Sequence, residues 1–313
     1  MIHFVEHKDI IPEKWNDAVR HARQATLLTS YDVLDTLTAN SSWNALILNN
    51  YQAIMPLPER KKFGIHYLYT PFFIPQFGIF AQQSLEAETI FDFFNNIPKK
   101  YKQIDLLLNI QNDVSLLKQK TIHLISHKLN LNQSYENLYA HFSQNTKRNI
   151  KDARKHALSY EVNPNILDDV ILLFKENKGD EKMVHYREKD YQILANTARL
   201  LLEKNAIDVI GVRHEQQLIA GAFFVKDIHC RWFWFSGRDT NASQFKPMFF
   251  LLDEFIRQHA EQQEILDFNG SLNKNVARLY TGFGAQPYPI PMVTYSQPGC
   301  WQTLINIYHT IKK

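Results

Sequence analysis

The first half of the chain alternates between segments with helical and strand-like spacing of apolar residues. Apolar positions recur at helical spacing from Trp15 to Leu37, and two apolar runs, 43–48 and 51–57, then flank Asn49-Asn50. Such runs on either side of a short polar turn predict a β-hairpin. The aromatic stretch from Tyr67 to Phe80 contains prolines and a glycine, which predicts irregular strand and loop. The other predicted elements of this half are a helix at 86–94, strands at 103–109 and 121–126, and a helix at 135–141.

The second half begins with three segments of helical spacing, at 143–156, 166–177 and 189–204. Three strand-like runs follow, at 207–213, 218–225 and 229–235. The polar turns between these runs are short, which predicts antiparallel pairing of neighbouring strands. Pro247 then opens an amphipathic helix, because proline is favoured in the first turn of a helix. The last predicted elements are a strand at 265–268, a short helix at 276–280 and a proline-interrupted strand at 286–295.

Composition indicates a folded protein of about two domains. The chain has 313 residues, of which 45% are hydrophobic and 21% charged, and a domain has roughly 150 residues. The net charge of +3 is too small for a dedicated nucleic-acid-binding protein, which would carry a denser basic face. Counting the two cysteines, Cys230 and Cys300, excludes a disulfide framework and a four-ligand zinc site of cysteines.

The sequence predicts a cytoplasmic protein without a membrane span. The first residues include acids where a signal peptide would have basic residues, and no apolar region follows them. The apolar stretches are far shorter than the roughly 20 residues that cross a bilayer. His123 and His127 are four positions apart but belong to a strand-like segment, and no glutamate follows His123, so we expect no metal site. Serine hydrolase, P-loop and dinucleotide-binding motifs are not present.

The element order after residue 143 resembles that of GNAT acyltransferases. Asn273, Tyr280 and Gly284 are similar in spacing to the closing motif of that superfamily, although Ala285 replaces the usual aromatic residue. Segments 143–156, 267–270 and 279–284 resemble more specifically the FemABX branch, whose members carry two GNAT-like domains in tandem.

The resemblance implies an α+β fold of tandem GNAT-like domains, each a mixed, mostly antiparallel sheet flanked by helices. We expect a degenerate domain at residues 1–142 and a second domain at 143–298. The apolar stripe of the last segment predicts a helix at 299–313, and the resemblance implies that this helix returns to pack on the first domain. The active site is then expected in the cleft between the domains.

The resemblance also implies a bacterial transferase. FemABX proteins move an amino acid from aminoacyl-tRNA to the amine of a peptidoglycan precursor, whereas ordinary GNAT enzymes use acyl-CoA. In GNAT enzymes a glycine-containing loop at a helix N-terminus holds the CoA diphosphate through backbone amides. At the corresponding positions this chain keeps Gln244 but has Pro247 and Phe249 in place of the small residues. Since proline also lacks an amide donor, we expect no tightly bound cofactor and favour aminoacyl-tRNA over acyl-CoA as donor.

Two residues are candidate catalytic groups. The phenol of Tyr280 can protonate a leaving group, and packing in the core is its structural alternative. Asp267 and Asn269 alternate onto one face of their strand, so the carboxylate is a candidate base and the amide a candidate substrate contact. The alternative for Asp267 is that it caps the turn that follows.

The other candidate site residues are expected to bind the two substrates. Ser236 and Arg238 end the aromatic strand and could bind a carbonyl or phosphate, with a plain turn as the alternative. Lys246 and Asn273 complete the candidate substrate-binding set. A basic patch could contact phosphates of tRNA or of a nucleotide-linked acceptor, with a solvated helix face as the alternative, and consists of Lys147, Arg148 and Lys151.

The leading hypothesis is transfer of an aminoacyl or acyl group to an amine. In the FemABX reaction this amine belongs to a cell-envelope precursor. The amine would attack the donor directly, because no positioned cysteine or serine nucleophile is evident. One alternative is a CoA-dependent N-acetyltransferase. Another is a non-catalytic GNAT-fold module that binds a peptide or glycan through the aromatic stretch from Tyr67 to Phe80.

Overall fold

The computed structural model describes residues 1–23, 26–39, 43–62, 64–176, 186–227, 230–269 and 274–296. These residues form two compact units. Unit 1 contains Met1–Leu124 and the described residues from Ile290 onward, and unit 2 contains Ile125–Pro289. The predicted helix at 299–313 lies outside the described residues.

Unit 1 combines three helices with a mixed sheet. Its helices are α1 Pro12–His21, α2 Tyr31–Leu37 and α3 Ala87–Asn95. Its strands are β1 Ile2–Val5, β2 Trp43–Leu48, β3 Ala53–Lys62, β4 Ile65–Tyr69, β5 Phe80–Ala81 and β6 Tyr101–Leu107. The order is β1-β2-β3-β4-β6, with antiparallel pairs except for the parallel pair β4 and β6, and β5 pairs with β3. The predicted hairpin is confirmed as β2 and β3, although β3 extends through a charged end to Lys62.

Helical spacing from Trp15 to Leu37 corresponds to two helices rather than one. The chain between α1 and α2 contains a 3₁₀ turn at Leu27–Thr29. The Thr29 hydroxyl donates to the Thr26 carbonyl, and the Ser30 hydroxyl donates to the Leu27 carbonyl. Such bonds from hydroxyl side chains to nearby backbone compete with helix continuation. Apolar periodicity alone does not reveal this interruption.

The chain passes between the units within two long strands, β7 Lys120–Asn130 and β13 Gln286–Ser296. In unit 1, β13 pairs antiparallel with β6 from Met292 to Ser296. In unit 2, β7 supplies the segment from Ile125 to Asn130. The sequence predicted β7 to end at Ser126, four residues before its actual end.

Unit 2 contains the remaining elements. Its helices are α4 Tyr135–Ala140, α5 Gln144–Ala153, α6 Leu167–Glu176, α7 Glu188–Glu203, α8 Pro247–His259 and α9 Lys274–Gly282. Its further strands are β8 Leu158–Val162, β9 Ile207–His214, β10 Gln217–Lys226, β11 Cys230–Arg238 and β12 Ile265–Asp267. The sheet order is β7-β12-β11-β10-β9-β8, and only β11 and β12 are parallel among the pairs described in this unit. The α+β class and the mixed, mostly antiparallel sheet are therefore confirmed.

A pair of glycines brings helix α6 close to the sheet. Gly221 on β10 lies opposite Gly237 on β11. A Cβ atom at Gly237 would lie 2.4 Å from the carbonyl oxygen of Val170 and 2.7 Å from the backbone nitrogen of Phe174. A Cβ atom at Gly221 would lie 2.2 Å from Val170 Cγ2. The two glycines therefore form a notch that holds one turn of α6.

Replacing Gly237 with alanine is expected to lower the free energy of unfolding by about 1–3 kcal/mol, because the added methyl would collide with backbone atoms of α6. The control is Gly211→Ala, whose added Cβ would meet the side-chain ends of Ile166 and Leu218, which can rotate away. Urea unfolding of both variants tests the difference. Equal losses would contradict the assignment of the notch.

Among the described residues, no helix combines the length and apolar character required to cross a membrane.

Candidate functional site

Strands β11 and β12 part in the middle of unit 2. They are paired at Cys230 with Ile265, Arg231 with Leu266 and Trp232 with Asp267. Strand β12 ends at Asp267, whereas β11 continues to Arg238. The two strands are no longer paired beyond residue 232 of β11 and residue 267 of β12. Side chains that follow these two residues can therefore contact the helices that flank the sheet.

Tyr280 lies on one face of this parting. Its ring stacks on Phe268, with 4.5 Å between ring centroids and 24° between ring planes. Phe233 and His127 contact it edge-on, at centroid distances of 6.0 Å and 5.9 Å. Only 6% of Tyr280 is exposed, and it belongs to the apolar core of unit 2. The ring of Tyr280 is thus held in place by aromatic side chains.

His127 is a buried neighbour of Tyr280 that sequence reasoning considered only as a metal ligand. It is 4% exposed, and its Nδ1 has no hydrogen-bond partner in the part of the chain that the structure describes. Burial lowers the pKa of the imidazole, so the ring is neutral at pH 7. No sequence motif marks this residue, because its position depends on how β7 pairs with β12.

Asp267 is the centre of a polar cluster on β12. Its Oδ1 accepts from the Ser126 hydroxyl at 3.0 Å and from the Asn269 backbone amide at 2.9 Å. Its Oδ2 accepts from the Tyr288 hydroxyl. The ammonium of Lys128 lies 5.2 Å from the centroid of the Tyr288 ring. Burial raises the pKa of Asp267, although the three hydrogen bonds and the Lys128 charge act in the opposite direction.

The structure does not bring Asp267 and Tyr280 together. Successive side chains of a strand point to opposite faces, and Phe268, the neighbour of Asp267, is the residue that stacks on Tyr280. The same alternation separates Ser126, which contacts Asp267, from His127, which contacts Tyr280. The two candidate catalytic residues therefore lie on opposite faces of the sheet.

Asn269 follows the end of β12 in a left-handed conformation with a φ of 61°. Its backbone amide is held by Asp267, so the aspartate closes the turn as the structural alternative anticipated. Asn273, the next candidate along the chain, lies outside the described residues.

The remaining candidates on β11 and α8 lie at the ends of their elements. Ser236 is half-buried opposite Ala222, and Arg238 is exposed opposite Ala220. Lys246 precedes α8 in a left-handed conformation with a φ of 54°. None of the three side chains forms an ion pair with the described residues.

The first turn of α8 offers few backbone donors. Pro247 has no N–H, and the amides of Phe249 and Phe250 both donate to the Lys246 carbonyl, at 3.0 Å and 3.3 Å. Met248, whose amide remains, is itself buried, as is Pro247. The amide array that binds a diphosphate at a helix N-terminus is therefore reduced to one group.

An aromatic side chain, that of Phe245, lies two residues before this helix. Phe245 stacks on His214, with 4.1 Å between ring centroids and 18° between ring planes. His156 contacts the same ring edge-on at 5.0 Å. The residues present do not fit the diphosphate of CoA in the manner usual for GNAT enzymes.

The predicted basic patch lies on α5. The Lys147 ammonium donates to the Ala140 carbonyl at 2.8 Å, and Arg148 donates to Asn145 Oδ1 at 2.9 Å. Lys151 is exposed one turn after Lys147. All three retain donors for a ligand, because these contacts use one donor at most from each side chain.

In the described part of the chain, no group of His, Cys, Asp and Glu side chains is arranged to hold a metal ion.

The pKa of Asp267 predicts a pH dependence of stability. Because the folded-state pKa is raised, the folded protein retains this proton to a higher pH than the unfolded chain does. The free energy of unfolding of the wild type, relative to Asp267→Asn, is therefore expected to fall as pH rises from the ordinary value of 3.8 through the raised value. Urea unfolding at several pH values measures this difference. A difference that grew with pH would contradict the assigned direction.

Comparison with known proteins identifies a GNAT segment in unit 2. Residues 140–275 match the family model described as an acetyltransferase (GNAT) domain. A search of curated protein sequences finds no match.

Three solved structures share the fold over nearly the whole chain. FemX is 11% identical, with 92% of this chain and 96% of FemX covered and a TM-score of 0.67. L-PGS from Bacillus licheniformis is 10% identical, with coverages of 97% and 98% and a TM-score of 0.59. A tandem GNAT protein from the clavulanic acid biosynthesis pathway is 9% identical, with coverages of 96% and 100% and a TM-score of 0.54. The predicted tandem GNAT-like fold is confirmed, and FemX is among the solved structures that share it.

Proposed function

We propose that this protein is an acyltransferase that moves an aminoacyl group from aminoacyl-tRNA to an amine. The GNAT-type fold and the likeness to FemX support the general reaction class. The observation that carries the choice of donor is the first turn of α8, where the diphosphate-binding amides of GNAT enzymes are lost. We further propose an amine of a cell-envelope precursor as acceptor, in line with the FemABX-like resemblance. No cofactor is bound tightly in this proposal.

The proposed reaction is a direct attack without a covalent enzyme intermediate. The amine nitrogen attacks the ester carbonyl, and the bond to the ribose oxygen breaks. The proton that the attacking nitrogen loses replaces the one that Tyr280 gives to the ribose oxygen, so the transfer takes up and releases no net proton. Burial raises the pKa of the Cys230 thiol, so this cysteine is a poor nucleophile. The protein's main contribution is then the orientation of the two substrates. Tyr280 is the proposed donor of the proton that the leaving ribose oxygen takes up.

Tyr280→Phe is expected to lower the transfer rate by about 10²- to 10⁴-fold, the usual contribution of general acid catalysis. The melting temperature should change little, because the phenylalanine ring retains the stack on Phe268. Transfer from charged tRNA to a precursor amine and thermal melting are measured on the same sample.

The matched control is Tyr160→Phe. The Tyr160 hydroxyl is also buried in unit 2 and has no hydrogen-bond partner among the described residues. Its removal is expected to leave both the transfer rate and the melting temperature nearly unchanged. Wild-type turnover in Tyr280→Phe would remove this hydroxyl from the mechanism.

Millimolar CoA or acetyl-CoA is expected to leave the melting temperature unchanged. A ligand at 100 times its dissociation constant would stabilise the folded state by about 2.7 kcal/mol and raise the melting temperature by several degrees. The exposed charges of Arg238 and Lys246 would contribute only about 0–1 kcal/mol each without the amides. A saturable upward shift would overturn the tRNA donor and favour a CoA-dependent N-acyltransferase.

A further inference from the structure

A second surface of unit 2 has the chemistry of an anion-binding site. It is a groove of about 350 Å³ between α4, α5 and α8. Its lining consists of Tyr135, Tyr139, Ile150, Lys151, Arg154 and Arg257. We call it the α4–α5–α8 groove.

A buried carboxylate builds one wall of the groove. Asp253 on α8 is fully buried, and its Oδ1 accepts from the Tyr135 hydroxyl at 2.5 Å. Its Oδ2 accepts from Arg154, which also contacts Glu254, each at 2.5 Å. Arg154 is therefore neutralised by two carboxylates, and its principal role is to hold α5 against α8.

Lys151 lies outside this network, whereas Arg257 is also an ion-pair partner of Asp253, with 3.7 Å between Nη2 and Oδ2. The Arg257 guanidinium lies 4.4 Å from the centroid of the Tyr135 ring and donates to the Tyr135 hydroxyl at 3.2 Å. Its side chain is 44% exposed, and a guanidinium has five N–H donors, so several remain for a ligand. Lys151 is exposed and forms no hydrogen bond or ion pair with the described residues.

The cations form a row that is longer than one phosphate group. Lys147 precedes Lys151 by one turn of α5, and its ammonium lies 5.4 Å from the centroid of the Tyr139 ring. The distance along the helix axis from Lys147 to Lys151 is about 6 Å, at 1.5 Å per residue, and Arg257 lines the same groove from α8. A row of this length matches successive phosphates of a polymer better than the single phosphate of a mononucleotide.

We propose that the α4–α5–α8 groove binds the sugar-phosphate backbone of RNA. The proposal rests on the proposed function, because the RNA would be the nucleic-acid part of the aminoacyl-tRNA donor. Lys147, Lys151 and Arg257 contact phosphates, while Tyr135 and Tyr139 hold two of these cations in place. Contacts of this kind give affinity that is independent of base sequence and decreases with salt.

The test measures binding of a labelled RNA hairpin with an unpaired 3′ CCA end at several salt concentrations. Lys151→Ala and Arg257→Gln are each expected to weaken binding up to about fivefold and to reduce the slope of log K against log salt by about 1. The control is Lys155→Ala, which removes the same charge from the end of the same helix, where Lys155 pairs with Asp152. This variant should retain the wild-type slope.

Several results would overturn the groove assignment. These are wild-type protein that does not bind the hairpin, variants that keep the wild-type slope, and uridine monophosphate that competes as strongly as the hairpin at equal phosphate concentration. Because Arg257 also contacts the buried network, melting temperatures are recorded for each variant. If Arg257→Gln is unfolded, the exposed Lys151 side chain still decides the result.

The two proposals fail in different ways. If the wild type transfers an amino acid from charged tRNA but Lys151→Ala binds RNA as the wild type does, the groove assignment is wrong and the proposed function stands. If the wild type binds RNA through Lys151 but transfers nothing to an amine, the groove assignment stands and the proposed function is wrong.

Discussion

The hydrogen bonds to the Asp267 carboxylate determine where strand β12 ends, and the candidate site depends on that ending. The Asn269 backbone amide donates to Oδ1 of Asp267, and Asn269 itself has a left-handed conformation. The chain therefore leaves the sheet instead of continuing beside β11. Phe268 then faces the core and supports the ring of Tyr280. The carboxylate thus shapes the site from the opposite face of the sheet, as a structural group whose removal would disturb the strand ending itself.

Lys246 places a positive charge at the helix end at which GNAT enzymes hold a diphosphate. The backbone donors around Pro247 are nevertheless few. Further cations lie along α5 and at Arg257 in the α4–α5–α8 groove. A donor whose charge is spread along a polymer suits this distribution, since it can contact the row of cations while its reactive end extends elsewhere.

Much of the fold could be predicted from the sequence because it depends on local spacing. The antiparallel strands from Ile207 to Arg238 and the helix opened by Pro247 follow from apolar runs, short turns and proline geometry. Strand β8 was missed, since five alternating residues at Leu158–Val162 give too short a signal. The separation of Asp267 from Tyr280, and the place of His127, depend on strand pairing across distant parts of the chain, which spacing does not encode.

The glycine notch under α6 limits how unit 2 can move. Where a helix rests on side chains, small rotamer changes allow it to slide over a sheet, but at Gly237 the backbone of α6 meets the strand directly, and at Gly221 the Val170 side chain does so. Val170 sits in the notch, so sliding in either direction would drive it against neighbouring residues of β10 or β11. Helix α6 is therefore restrained along the sheet, and lifting it away from the strands would expose the buried side chains of Leu167, Val170 and Ile171.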